Sequence, residues 1–234
     1  MSVDRDTPAL DALRAADIRP ERTGAARTRR LSAVQRELYF WILREFAAAR
    51  PPSGEATRAA TTRIGIDPAE ALAVLAREDL VHVDGNGRPV VAYPFSAKPR
   101  GHRVLIEEKH WVEAMCAIDA LGIAPMLGVA IEIHSRDPVN ASEVWVRLDP
   151  REGAWWEPEE AVVLSGSTCC EGPSFGGCCD VLNFFETREN AERYLAEHGE
   201  VAGHPISLPE AIEAGRIVFG ESLAKGIDAS SDRP

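Results

Sequence analysis

Four short apolar runs in the second half of the chain constrain its fold most tightly. Val129-Ala130-Ile131-Glu132-Ile133 alternates with the period of a half-buried strand, and Val144-Trp145-Val146-Arg147-Leu148 reads as its antiparallel partner, joined through Asp137-Pro138 and Asn140. Ala161-Val162-Val163-Leu164 and Val181-Leu182-Asn183-Phe184-Phe185 are two further strands. Thr187 then caps a helix through Ala191 and Leu195, and Ser207-Leu208-Pro209-Glu210 caps another that contains Ile212, Ile217 and Phe219. A chain built this way is an α+β protein with an antiparallel sheet flanked by helices.

The first half reads differently. Residues 1–30 are polar and rich in Arg and Ala, which predicts a loose arm with one short helix around Leu10–Ala16. Its cluster Arg22, Arg27, Arg29, Arg30 is basic enough to touch a phosphate, although a solvated arm is the favoured account. Ser32 with Gln35 forms a capping-box pattern ahead of Val34, Leu38, Trp41, Ile42 and Phe46, and Arg50-Pro51-Pro52 ends that helix. A second helix covers Ala56 to Arg63. Asp67-Pro68-Ala69-Glu70 starts a third, and Val81–Val83 and Pro89–Tyr93 flank the turn Asp84-Gly85-Asn86-Gly87 as a hairpin. Three helices and a hairpin follow the order of a winged helix. The predicted organisation is therefore an arm over 1–30, a winged-helix-like unit over 31–96, a catalytic domain over 97–224 and a frayed tail over 225–234. The helix in the recognition position carries Glu70, Arg77 and Glu78 on an Ala/Leu-rich surface, whereas a DNA reader needs several donors there.

Composition narrows the function. At 234 residues, 45% hydrophobic and 27% charged, the chain can bury a core without staples. A net charge of −11 argues against general affinity for nucleic acid or an anionic membrane. No apolar run approaches the roughly 20 residues needed to span a bilayer, and the N-terminus lacks the apolar core of a signal peptide, so a cytoplasmic location is expected. There is no phosphate-binding glycine loop, no H-E-x-x-H and no nucleophile elbow.

The cysteines are the unusual feature. Cys116 stands alone, while Cys169, Cys170, Cys178 and Cys179 fall within eleven positions. An odd count in a reducing compartment speaks against a disulfide framework and leaves core packing, metal binding or thiol chemistry. Cys116-Ala117-Ile118-Asp119 lies on a segment, Trp111 to Leu121, with helical character, interrupted by Ile123-Ala124-Pro125; spacing of i and i+3 brings a thiol and a carboxyl group to one face. Gly176-Gly177 before Cys178-Cys179 lets the backbone turn sharply into the Val181–Phe185 strand.

These two segments carry a resemblance. Ala114-Met115-Cys116-Ala117-Ile118-Asp119-Ala120-Leu121 followed by Ile123-Ala124-Pro125 resembles the first active-site segment of the organomercurial (alkylmercury) lyases, and Cys178-Cys179-Asp180-Val181-Leu182-Asn183-Phe184-Phe185 resembles the second. The likeness extends more weakly over some 190 residues of the chain. It implies a catalytic set of Cys116, Asp119 and Cys178, in which two thiolates take mercury and the carboxyl group moves a proton to the leaving carbon. Hg(II) would then rest on Cys116 and Cys178, with Cys179, Cys169 and Cys170 as further candidate ligands. It also implies no resident cofactor, a small organomercurial substrate, small cytosolic thiols as co-reactants and a mercuric reductase as a partner that takes the product. A buried carboxyl group beside thiolates is expected to have a raised pKa.

Three departures from the family stand out. Ser135 follows His134 where a structural cysteine is expected, Met115 stands where an aromatic residue often precedes the first catalytic cysteine, and the pair Cys169-Cys170 is extra. That pair suits a separate metal site poorly, because adjacent cysteines rarely both reach one tetrahedral ion; a thiol relay and plain loop thiols stay open. His134 reads as a strand-end residue satisfied by backbone, His102 and His110 as surface residues, and Trp145, Trp155 and Trp156 as packing residues or pocket walls. Two other functions remain open beside the lyase. One is a soft-metal binder or sensor that needs the thiols without the proton carrier Asp119, and the other is a family member acting on a different substrate.

Overall fold

The structure is a computed structural model that describes residues 8–16, 18–168 and 178–228. Its eleven strands among the described residues form two sheets. Strands β1 (Val81–Val83), β2 (Pro89–Ala92), β3 (Phe95–Ser96), β4 (His102–Ile106), β5 (His110–Ala114), β6 (Ile131–Arg136), β7 (Glu143–Asp149) and β8 (Gly153–Glu157) make one sheet in the order β1-β2-β3-β5-β4-β6-β7-β8. Strands β9 (Val162–Thr168), β10 (Phe184–Phe185) and β11 (Val201–Ser207) make the other in the order β10-β9-β11. Every pairing is antiparallel. Around them lie α1 (Pro8–Ala15), α2 (Gly24–Arg29), α3 (Ala33–Ala47), α4 (Gly54–Ile64), α5 (Pro68–Arg77), α6 (Ala117–Leu127), α7 (Arg188–Glu197) and α8 (Leu208–Asp228). The mixture of helices with antiparallel sheet follows the expectation from patterning.

Local chemistry sets most helix ends. Ser32 and Gln35 close a reciprocal capping box on α3, and Ser53, Asp67 and Thr187 accept from the third backbone N–H of α4, α5 and α7. Asp84 accepts from Asn86 N and Arg88 N to shape the β1–β2 turn. Gly54 rests on that turn so closely that a Cβ there would lie 2.3 Å from the Asn86 carbonyl oxygen.

α6 is the central helix. Nine of its residues are buried, as suits a helix apolar on all sides. It lies between the inner face of the large sheet, which presents Val104, Ile133, Val144 and Val146, and helix α8. Two glycines allow the close crossing with α8. A Cβ on Gly215 would meet Gly122 N at 2.9 Å, and one on Gly122 would meet the Phe219 ring at 2.3 Å.

Several sequence expectations are corrected. The segment expected as a loose arm does carry the expected short helix, as α1, but it adds α2 and both pack against α8, and α1 also touches β9. Ala9, Ala12 and Leu13 form a buried apolar face on α1, and the Ser165 hydroxyl donates to the Ala12 carbonyl. The basic cluster is partly committed inward: Arg27 bonds the Asp79 carbonyl at 2.7 Å and its carboxylate at 3.1 Å, and Arg30 meets Glu78 at 2.6 Å. The segment Trp111–Leu121 is not one helix. Residues up to Ala114 pair with β3 and β4, because tertiary pairing of β-branched and aromatic residues overrides a short helical period. Pro125 does not interrupt the following helix. It sits inside α6 at the cost of one backbone bond, and Gly128 in the left-handed region ends the helix. The expected strand Val181–Phe185 shortens to β10 after a 3-10 turn at Cys178–Asp180. His102 is buried, contrary to its assignment to the surface, because β4 lies inside the sheet between β5 and β6. The far end of the expected frayed tail, 229–234, lies outside the described residues.

Candidate active site

The site forms where the last strand residues before α6 meet the turn before β10. Cys116 is the N-cap of α6 in extended conformation (φ −157°, ψ 179°), and its Sγ accepts from Asp119 N at 3.4 Å. Asp119 is the third helical residue. Cap geometry, more than a shared helix face, therefore brings thiol and carboxylate together. The Cys116 Sγ–H donates to Asp119 Oδ2 at 3.1 Å. From the other side the Cys179 Sγ–H reaches the same oxygen at 3.7 Å. The two sulfurs and the carboxylate oxygen all lie within 4.8 Å of one another, close to the separation of two sulfurs on one soft ion, about twice a 2.3 Å metal–sulfur bond.

Backbone contacts hold the two segments together. Ala117 N donates to Leu182 O at 2.8 Å, which ties the start of α6 to the segment after Cys179. Met115 N donates to Pro94 O at 3.0 Å and anchors the other flank.

Burial dominates the electrostatics. Cys116, Cys179 and Asp119 are 2%, 5% and 5% exposed. Burial pushes the Asp119 carboxyl from 3.8 up to about 7; the two thiol hydrogen bonds and Arg27 act the other way, and Asp79 reinforces the rise. The expected upward shift is present, with desolvation as its main cause. Next to this centre, burial raises the Tyr39 hydroxyl, which donates to the Tyr93 carbonyl at 2.9 Å. Arg100 bonds the Asp180 carboxylate through its guanidinium, and although burial opposes its charge, that carboxylate raises its pKa. His102 is pulled down to about 4 by burial and by Arg100, so it is neutral at pH 7; its Nδ1 lies 3.0 Å from Ser135 Oγ. Ser135, standing where the family resemblance leads one to expect a thiol, donates to the Gly101 carbonyl at 3.2 Å.

Of the residues singled out from sequence, Cys116 and Asp119 come together as expected, and the thiol that joins them is Cys179. Cys178 opens the same 3-10 turn, and its side chain, like all of Cys169 and Cys170, lies outside the described residues. Nothing in a Cys-Cys dipeptide within a turn distinguishes the two members by periodicity. Arg100, His102, Tyr39 and Arg27 were missed, since each reaches the neighbourhood through long-range packing. His134 does not rely on backbone: its Nε2 meets Glu132 Oε1 at 2.5 Å and its ring lies between Trp111 and Trp145. Trp155 is exposed.

Two buried thiols converge on one carboxyl group of raised pKa, a donor set that suits a soft metal ion. Comparison with known proteins agrees. Residues 95–220 match the alkylmercury lyase (MerB) family. An alkylmercury lyase from Staphylococcus epidermidis is 28% identical over 184 residues, covering 79% of this chain and 82% of that protein. The solved mercury-bound form of MerB2 shares the fold, with a TM-score of 0.69 at 18% identity over 93% of this chain and 99% of that one. The chain belongs to the alkylmercury lyase family. Among the described residues no helix is long and apolar enough to cross a membrane.

Proposed function

We propose that the chain is an organomercurial lyase that cleaves the carbon–mercury bond by protonolysis. Cys116 and Cys179 supply the two sulfur ligands and Asp119 carries the proton. The observation that carries this reading is the buried triad of Cys116, Asp119 and Cys179, with donor atoms within 4.8 Å, in a member of the alkylmercury lyase family. Of the adjacent pair, Cys179 is chosen over the Cys178 expected from sequence because its sulfur reaches the oxygen that Cys116 reaches.

The chemistry follows from softness and charge. An alkylmercury cation R–Hg⁺ exchanges its small-thiol ligand for one cysteine sulfur and then takes the second. Two sulfur donors weaken the carbon–mercury bond and place negative charge on carbon. Of the two thiol protons, one leaves with the first exchange. The other passes to Asp119 and then to carbon as the bond breaks, giving R–H and Hg(II) held by two thiolates. A carboxyl group near pKa 7 both accepts and releases a proton at neutral pH, which suits general acid–base work. A metal binder or sensor would gain nothing from a buried carboxyl group between its sulfurs, where burial penalises its charge.

No cofactor is needed for this scheme beyond external thiols, which deliver the substrate and draw off Hg(II), directly or toward a mercuric reductase. The reading places the protein in a reducing, cytoplasmic setting. Residues 31–96, read as a winged-helix-like unit, help cover the site in it: their strand β3 joins the large sheet beside β5, and the Pro94 carbonyl accepts from Met115 N next to Cys116. The test is to incubate the purified chain with phenylmercury and excess small thiol and to quantify benzene. Repeated turnover is expected. Stoichiometric mercury binding without benzene would replace the lyase reading with the binder.

A further inference from the structure

Arg100 lies in the connection between β3 and β4 and belongs to neither thiol-bearing segment, yet it bonds to both. Its Nε donates to the carbonyl of Met115, the residue before Cys116, at 3.4 Å. The same guanidinium bonds the carboxylate of Asp180, the residue after Cys179. Its own backbone is pinned, since Arg100 N donates to Glu113 Oε2 at 2.9 Å on β5. A second line of contacts runs alongside. His102, two residues on, lies 3.0 Å from Ser135 Oγ through its Nδ1, and Asn183 Nδ2 donates to the Asp180 carbonyl at 3.3 Å.

We propose that Arg100 is a positioning residue: its guanidinium clasps the Met115 carbonyl to the Asp180 carboxylate and so fixes the spacing of the Cys116 and Cys179 sulfurs. The inference rests on the reading that both sulfurs take the same mercury. The physical argument is that the two sulfurs belong to different segments. The backbone joins those segments through Ala117 N and Leu182 O on the helix side. A single such link leaves rotation about it open, and Arg100 supplies a second link on the opposite flank. A planar fork suits this task, because it engages a carbonyl and a carboxylate at once in fixed geometry; a lysine ammonium on a flexible stem holds neither direction. Groups that orient metal ligands from outside typically matter by roughly 10- to 100-fold in metal affinity or activity.

The experiment compares wild type, Arg100→Ala, Arg100→Lys and Asp180→Asn in the full chain. Each is loaded with one equivalent of Hg(II) alone and titrated with dithiothreitol, which strips an ion held by one sulfur at low concentration and one held by two sulfurs only at higher concentration. Alkylation of Cys116 and Cys179 by iodoacetamide is mapped separately, and urea unfolding reports stability. Arg100→Ala is expected to lose Hg(II) to the competitor at concentrations lower by roughly tenfold or more, Arg100→Lys to regain part of that loss, and single-thiol alkylation to stay at the wild-type rate. A merely structural arginine would shift unfolding and alkylation together and leave the competition ratio in place. Wild-type retention of Hg(II) by Arg100→Ala overturns the proposal. Should that variant not fold, Asp180→Asn decides, since Asp180 is an exposed side chain: the same loss supports the clasp and full retention overturns it. Because the readout is Hg(II) retention, a wild type that releases no benzene would sink the lyase reading while the clasp is still judged on its own result.

Discussion

Asp119→Asn separates the proton-carrying role of the carboxyl group from its place in the packing. The amide has nearly the same shape, and its carbonyl oxygen can still accept from both thiols, so the fold is kept. What disappears is a buried titrating group. In the folded chain Asp119 is raised from 3.8 to about 7 by burial. The folded state therefore holds this proton to higher pH than the unfolded state does. The stability it contributes is complete below the unfolded value near 4 and is lost as pH rises through the folded value near 7. Roughly three pH units at 1.36 kcal/mol each make about 4 kcal/mol over the whole window. Between pH 5 and 8 the portion expected is about 2 to 3 kcal/mol. Urea unfolding of wild type and Asp119→Asn at intervals from pH 5 to 8 measures it, because titration of groups remote from Asp119 cancels in the difference. The variant should gain on wild type steadily with pH up to about 7 and then level off. It should also bind Hg(II) with both sulfurs yet release no benzene. A stability difference that stays flat across this range would refute the assignment of a buried, proton-retaining Asp119, and wild-type benzene release would refute its role in catalysis.

Cys179→Ser should abolish benzene release, since a hydroxyl is a hard ligand and leaves mercury on one sulfur, while Cys178→Ser should keep it; gas chromatography of phenylmercury reactions decides, and the opposite pattern would move the assignment to Cys178. Gly215→Ala pushes a Cβ to within 2.9 Å of Gly122 N and 3.1 Å of Ile118 O, backbone atoms that cannot rotate away. It should cost about 1–3 kcal/mol in urea unfolding, and wild-type stability would show that α6 and α8 can part without penalty. Ser32→Ala removes one half of a complete capping box and should cost about 1 kcal/mol, visible as a lower thermal midpoint with activity unchanged at 25 °C.

Where a local rule governs, the sequence was legible. Ser32, Asp67 and Thr187 cap the helices they were expected to start, and the Asp84–Gly87 turn forms its hairpin. The pairing of β6 with β7 was readable from alternation alone. Legibility failed where pairing is non-local. His102–Ile106 and Val201–Ser207 have little strand character of their own and become strands because β5, β6 and β9 lie beside them. The same holds at the site. Cys116 and Asp119 are three apart and could be joined on paper, and family resemblance supplied Cys178 from the distant pair, whereas the sulfur that reaches Asp119 is that of Cys179. The Cys179 thiol is presented by a single 3-10 turn, and the contact from Arg100 to Asp180 spans eighty positions of sequence with no local pattern to announce it.

The two thiols grow from different sheets: Cys116 follows β5 of the large sheet, and Cys179 precedes β10 of the small one. In the lyase reading proposed above, a mercury ion bound to both is a cross-link as well as a product. It closes a loop of roughly 60 residues, and by the chain-entropy model used for disulfides such a closure restricts the unfolded chain by about 4 kcal/mol. Completing the reaction thus leaves the protein stapled, more resistant to unfolding than before it met its substrate, and reluctant to let go. Release has to proceed by exchange, one sulfur at a time, with an incoming thiol replacing each bond as it breaks.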